Sequence, residues 1–324
     1  MTDTLSLSQL IKSGRFVVPD FQRDYSWERQ HVEDFWDDAC DEIDRGNENY
    51  YFGPIVLIKK GKSNVFKIVD GQQRITTLSI LLSLFRDICH HTNNGTGEQW
   101  VDNYINDDEF DEPIPRLQLN KNNNDFYCKF ILKIDDPEYK LKMKPDNQYD
   151  KKIFQTYKFL HEKIKNRYLP DDNKKTKKLF SSEDSEISTD IRKFIKKILY
   201  HFHIFHITID NEDEASKLFA TLNQRGLKLS ISDLIKNYIF SVSTQKYRDN
   251  NNKIWQKMID TLGEKINPDK YLQHHYIAWK KNVKEQDLYS TITGQIKNDS
   301  EVIDYLKSIS EHCNTYSDMM SDNP

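Results

Sequence analysis

The chain has 324 residues, a hydrophobic fraction of 37%, a charged fraction of 30% and a formal net charge of −4. That is enough apolar chain for one large or two modest domains, and it carries no global basic signal for nucleic acid. The scattered Cys40, Cys89, Cys128 and Cys313 form no zinc spacing or disulfide framework, and no signal-peptide pattern or long apolar run occurs, so a cytoplasmic chain without a membrane span is expected.

Ser6 or Ser8 is placed to cap a short helix, SQLIKS, stopped by Gly14. Arg15 to Val18 reads as a short strand ending at Pro19. From Trp27 onward Val32, Phe35, Trp36, Ala39 and Ile43 recur at helical spacing, opposite an acidic face of Glu33, Asp34, Asp37, Asp38 and Asp41. Gly53-Pro54 opens a strand, IVLIKK, and Gly61 to Asn64 turns it into a second, VFKIVD. A helical pattern of Ile75, Leu78, Leu81 or Leu82, Phe85 and Ile88 follows at once. Residues 1–92 are therefore expected to form an α+β unit with a small sheet.

Residues 93–240 read as mostly helical, interrupted by Pro113, Pro115 and the NKNNND stretch at 120–125, with a short strand at Pro115 to Leu119. Asp171 to Thr189 is polar and reads as a mobile loop. Ile191 to Tyr200 is a basic amphipathic helix, Phe202 to Ile209 alternates as a strand, Glu212 to Thr221 begins a helix, and Ser230 to Asp233 cap another. Residues 241–324 read as a helical C-terminal region. The fold class expected is α+β. Charge is uneven: residues 1–50 hold five Lys/Arg and twelve Asp/Glu, a net of −7, and residues 151–200 hold fourteen and seven, a net of +7. A local basic surface around Arg192, Lys193, Lys196 and Lys197 is compatible with that surplus, as is a plain solvated face.

The most informative stretch is Ile68 to Leu84. A strand ends at Asp70-Gly71 and a helix starts, with Gln72, Gln73, Arg74, Thr76 and Thr77 between the apolar positions. Such a junction offers backbone N–H groups and the positive end of a helix dipole, and Arg74 adds a fork suited to phosphate. An ordinary turn with Thr caps would read the same way. The string is not a Walker A loop. Gln22 and Arg23 follow Pro19 in an extended segment, with Tyr25 and Trp27 just beyond as either stacking rings or core anchors. Asn223 and Arg225 sit before a helix-stopping Gly226, and Lys236 reads either as a second phosphate contact or as a solvated helix residue, the latter being the simpler reading. His201 and His203 would share a strand face with His206 opposite, so these imidazoles do not converge on a metal.

Three ordered segments resemble the GmrSD-type restriction endonuclease N-terminal domain family. They are Val18-Pro19-Asp20-Phe21-Gln22-Arg23-Asp24-Tyr25-Ser26-Trp27; the DGQQRITTL string from Asp70; and Leu218 to Ser230, containing Asn223-Gln224-Arg225-Gly226, followed by Asp233-Leu234-Ile235-Lys236. The resemblance implies a small ParB/sulfiredoxin-like α/β core followed by a mostly helical region. It implies nucleotide binding and hydrolysis within a bacterial anti-phage restriction system directed at modified DNA, with cutting left to a His-Asn-His nuclease domain or subunit. No such nuclease motif follows residue 240, so a nucleotide-handling part is expected, either a split subunit or a piece of a longer protein, and not a nuclease by itself.

In that reading Gln22, Arg23, Gly71, Thr76, Thr77, Asn223 and Arg225 hold the phosphates. Asp70 holds Mg2+ or positions water, Gln72 or Gln73 orients water, and Arg74 neutralises developing charge. The expected cofactors are Mg2+ and a nucleoside triphosphate. The expected partners are DNA, including modified phage DNA, and a partner nuclease. The rival reading is a non-catalytic DNA-binding or modified-base-sensing module, in which the same turn holds a DNA phosphate and Tyr25 and Trp27 stack on the base.

Overall fold

The computed structural model describes residues 2–20, 22–47, 49–59, 63–107, 113–145, 147–169, 185–210, 230–263 and 266–321. The chain forms two compact units: residues 1–19 with 24–210, and residues 20–23 with 211–324. Residue 92, expected as a boundary, lies within the first unit, and residue 240 lies inside a helix of the second. The loop expected at 171–189 falls largely outside the described residues, as does the helix expected at 212–221.

The first unit opens with β1 (Thr2–Ser6) and α1 (Leu7–Lys12). Ser6 caps α1 through a reciprocal pair: its hydroxyl accepts from Gln9 N–H, and Gln9 Oε1 accepts from Ser6 N–H. β2 (Arg15–Val17) and α2 (Arg29–Asp44) follow. β3 (Tyr50–Lys59) starts ahead of the expected Gly53-Pro54, because parallel pairing with a distant strand carries Tyr50 and Tyr51 into the sheet across a bulge. β4 (Val65–Asp70) leads into α3 (Gln72–His91) and α4 (Gly95–Ile105).

The strand expected at Pro115 to Leu119 is divided. β5 (Asn106–Asp107) pairs with β6 (Ile114–Pro115), while β7 (Leu117–Gln118) joins the main sheet beside β2. The asparagine-rich stretch expected to break structure instead forms α5 (Lys121–Phe126), continuing into a π-helical turn at Tyr127–Leu132. Tertiary bonds override its weak helix propensity: Asn123 Oδ1 accepts from Tyr25 N–H at 2.8 Å and Asn124 Oδ1 from Leu119 N–H at 3.0 Å. α6 (Pro137–Lys140), α7 (Gln148–Tyr168), α8 (Ser185–His201) and β8 (Phe202–Ile209) complete the unit.

The six strands run β1-β8-β3-β4-β2-β7, so the sheet of the first ninety residues is closed by β8, which arrives from far along the chain and lies between β1 and β3. α3 is the centre of the unit. Leu78, Ile80, Leu81, Leu82, Leu84, Phe85 and Ile88 are all buried, so the helix presents apolar side chains around most of its circumference. α4, α7 and α8 pack around it. A charged network sits in this core. Asp87, fully buried, accepts from Lys140 Nζ at 2.6 Å and from Tyr157 hydroxyl at 2.9 Å. Its neighbour Arg86 pairs with Asp102 at 2.7 Å and donates to the carbonyl of Leu132. This network ties α6 and the π-helical turn to α3.

The uneven charge is used internally. Lys163 on α7 meets Glu33 and Asp37 of α2 at 2.8 and 3.2 Å, Arg167 meets Asp44, and Lys152 meets Glu28 at 3.4 Å. On α8, Arg192 lies over the Trp100 ring and Lys193 pairs with Asp190, which leaves a conventional amphipathic face there.

The second unit is helical: α9 (Ile231–Val242), α10 (Gln245–Leu262), α11 (Pro268–Trp279), α12 (Glu285–Gln295) and α13 (Asp299–Ser321). Its own core gathers Ile235, Ile239, Trp255, Met258, Leu272, Tyr276, Leu306 and Ile309. Ser230 caps α9 as expected, its hydroxyl accepting from Asp233 N–H at 3.1 Å, and the Asp269 carboxylate accepts from Ile231 and Ser232 N–H. Among the described residues no helix is long and apolar enough to cross a membrane.

Candidate functional site

β4 delivers Asp70 to the end of its strand, and Gly71 turns the chain with φ +93° into α3. Only a residue without Cβ fits there, since a Cβ on Gly71 would lie 2.3 Å from Ile55 Cγ1. Gly71 N–H donates to Asp70 Oδ1 at 2.8 Å, which fixes the carboxylate. Its other oxygen lies 3.6 Å from Arg74 Nη2. The side chains of Asp70 and Arg74 remain 27% and 19% exposed, so both reach the surface from a largely enclosed place. Burial pushes the Arg74 guanidinium below its usual range, against the opposing pull of Asp70 and of nearby Tyr51.

Arg74 is seated by Gly53, a residue the motif reading did not weigh. Gly53 has φ +108°, and a Cβ there would stand 2.0 Å from Arg74 Nη1. The bare backbone of β3 thus makes room for the guanidinium. Exposed Tyr51 lies within electrostatic reach of the same group. The Gly-Pro step at 53–54 was the available sequence signal, and it read only as a strand opener.

The remaining signature residues turn inward. Gln72, Gln73, Thr76 and Thr77 are buried. Gln73 Oε1 accepts from Ser26 N–H at 2.8 Å and its Nε2 donates to the Asp24 carbonyl at 3.1 Å. Thr77 hydroxyl donates to the Gln73 carbonyl and shares a 2.7 Å bond with the Tyr25 hydroxyl, which also bonds Thr156. Gln73 and Thr77 therefore clamp the Asp24–Trp27 segment against α3. Tyr25 is a core anchor, 5% exposed, with its hydroxyl pushed up to about 12 by burial, so the stacking role considered for it does not hold. Trp27 stays partly exposed and lines a separate cavity of about 350 Å3 with Arg29, Lys158 and Phe159.

The Pro-to-Trp element is shared between the units. Residues 20–23 fall with the second unit, where Gln22 is buried and Arg23 Nη1 pairs with Asp233 Oδ2 at 3.4 Å. Two motif segments far apart in sequence, Gln22-Arg23 and Asp233-Leu234-Ile235-Lys236, thus meet through an ion pair. Lys236 is buried, 7% exposed, not solvated as expected. Asn223 and Arg225 lie outside the described residues. His201 closes α8 instead of sharing a strand face with His203. Among the described residues no group of three or more His, Cys, Asp or Glu is placed to hold a metal ion.

The sequence model of the GmrSD restriction endonuclease N-terminal domain matches residues 6–240. The chain belongs to this family. The chain is also similar to an uncharacterized protein of Methanocaldococcus jannaschii, 24% identical over 326 residues, covering 92% of this chain and 52% of that protein. It thus spans about half the length of the curated relative it matches.

Proposed function

We propose that the Asp70–Arg74 turn binds a nucleoside triphosphate and promotes its hydrolysis, as the nucleotide-handling step of a restriction system. The observation that carries this reading is the Asp70–Arg74 pair, 3.6 Å apart at the N-terminus of a buried helix, with the guanidinium lodged against Gly53. A phosphate at this point meets the first-turn N–H groups and the positive helix end. Arg74, partly withdrawn from water, attracts it more strongly than a fully solvated arginine would. As negative charge grows on the departing phosphoryl group, Arg74 has Asp70 as its resident counter-charge and exchanges it for the phosphate oxygens.

Asp70 supplies one carboxylate with its orientation fixed by Gly71 N–H. That donor set suits Mg2+ only when phosphate oxygens complete the coordination, the usual arrangement at nucleotide sites. Asp70 would hold the ion, whose chemistry there is to neutralise phosphate charge. Gln72 stays beside the turn as the remaining candidate to orient water. Gln73 and Thr77 position the Asp24–Trp27 segment through hydrogen bonds to protein groups.

Calorimetric titration with a non-hydrolysable triphosphate, with and without Mg2+ and at rising salt, tests this reading. Mg2+-dependent binding of modest salt sensitivity, lost in Arg74→Ala, is expected. Binding to DNA alone, falling steeply with salt through counterion release, would favour the DNA-sensing module instead.

A further inference from the structure

The second unit carries a cavity that lies outside the stretch matched to the family. α11 and α13 enclose about 450 Å3, within the usual size of a small-molecule site. Tyr271, His275 and Trp279 recur at four-residue spacing on one face of α11, and α13 supplies His312 and Tyr316 opposite. The rings form a continuous set: His275 to Trp279 at 6.0 Å, His275 to His312 at 5.5 Å and Tyr271 to Tyr316 at 5.0 Å. Trp279 is 40% exposed at the mouth, and Met319 is 65% exposed beside it.

The chemistry of the lining narrows the ligand. Among the described residues no carboxylate lines the cavity, and the Lys280 ammonium sits 4.3 Å from the centre of the Trp279 ring. Exposed Lys281 and Lys284 follow. A cationic ligand would find no counter-charge and would meet Lys280. An aliphatic one would leave imidazole and hydroxyl edges without partners. Beneath the walls, the Nδ1 of His275 and the hydroxyl of Tyr305 are buried with no hydrogen-bond partner, although the two rings pack 6.3 Å apart. Burial and neighbouring His312 hold His275 down to about 4, so it presents a neutral ring.

The geometry points to a nucleotide site: a planar nitrogen heteroaromatic base stacks on Trp279 within the α11–α13 cavity, with its phosphate toward Lys280. The base comes either from a free nucleotide or from a strand of DNA in which it is unstacked. This assignment is independent of the Asp70 turn.

The test uses the full chain and two probes, 2-aminopurine nucleoside monophosphate and a short single-stranded oligodeoxynucleotide containing one 2-aminopurine. Stacking on Trp279 quenches the probe. Quenching of the free nucleotide assigns that source; quenching confined to the oligonucleotide assigns the strand. In either case Trp279→Ala weakens binding about tenfold or more, the scale of one lost base–aromatic stack. Trp279→Phe retains most of it, and Lys280→Glu weakens it. Melting curves of each variant check that the helices remain folded. Absence of quenching with both probes, or quenching equal in wild type, Trp279→Ala and Lys280→Glu, overturns the assignment. So does quenching lost only in Arg74→Ala, which would place the probe at the other unit's turn.

Discussion

At the scale of single residues, the account rests on Arg74 and on the glycine that seats it. Gly53→Ala places a methyl where Nη1 now lies and forces an L-residue to φ +108°. Strain of about 1–3 kcal/mol is expected in the folded state, with the guanidinium displaced from Asp70. The expected result is a protein that still folds, melts at lower temperature and loses triphosphate binding nearly as fully as Arg74→Ala. Unchanged binding in Gly53→Ala would show that the seat is not needed. The strand-to-helix turn at Asp70-Gly71 was legible from sequence, because a β-rich run ends in Asp-Gly directly ahead of a helical pattern. Gly53 and Tyr51 were not legible, since their relevance comes from a β3–α3 contact that no local pattern encodes.

At the scale of elements, α3 organises its unit by both its first turn and its middle. Gln73 satisfies one backbone donor and one backbone acceptor of the 24–26 segment. Gln73→Ala leaves both without their partner, at a cost of about 1–3 kcal/mol. Hydrogen exchange should then rise at residues 24–27 before it rises in the sheet; equal protection in the variant would remove the clamp from the account. Further along, Asp87→Ala strands the buried Lys140 ammonium, and a loss of about 3–5 kcal/mol in urea unfolding is expected. A loss under about 1 kcal/mol would mean that the lysine escapes to solvent. The helical periods of α2, α3 and α8 and the alternation of β8 were readable because each has one dominant pattern. The asparagine-rich α5 was not, since Asn123 and Asn124 spend their side chains on distant backbone groups, and the Asp87–Lys140 pair was hidden by a separation of 53 residues.

At the scale of the whole chain, the surplus of base in residues 151–200 is partly met by the acidic α2 through Lys163 and Arg167, so segment charge alone overstated a basic surface. The α+β class was legible, while the closing of the first sheet by β8 was not, because strand order is set by pairing across about two-thirds of the chain. Buried His161 is held down to about 4 by desolvation. A histidine depressed in the folded state stabilises above its ordinary value near 6.5 and loses that contribution as pH falls through about 4, a difference on the order of 3 kcal/mol. Asp87, pushed up to about 6 by burial, works in the opposite sense, its contribution being lost as pH rises through about 6. The informative quantity is therefore the difference between wild type and His161→Gln in urea melts from neutral pH down to about 4. The stability gap should shift toward the variant as pH falls; a gap independent of pH would contradict the assigned cause.

The measurement that bears most directly on the central claim is phosphate release from ATP, GTP, CTP and UTP with Mg2+, in the wild type beside Arg74→Ala, with and without modified DNA. Turnover of at least one triphosphate that disappears in the variant while its melting curve is preserved is the predicted result. Equal turnover in the two proteins, or none with any triphosphate in any condition, would contradict hydrolysis at the Asp70–Arg74 turn.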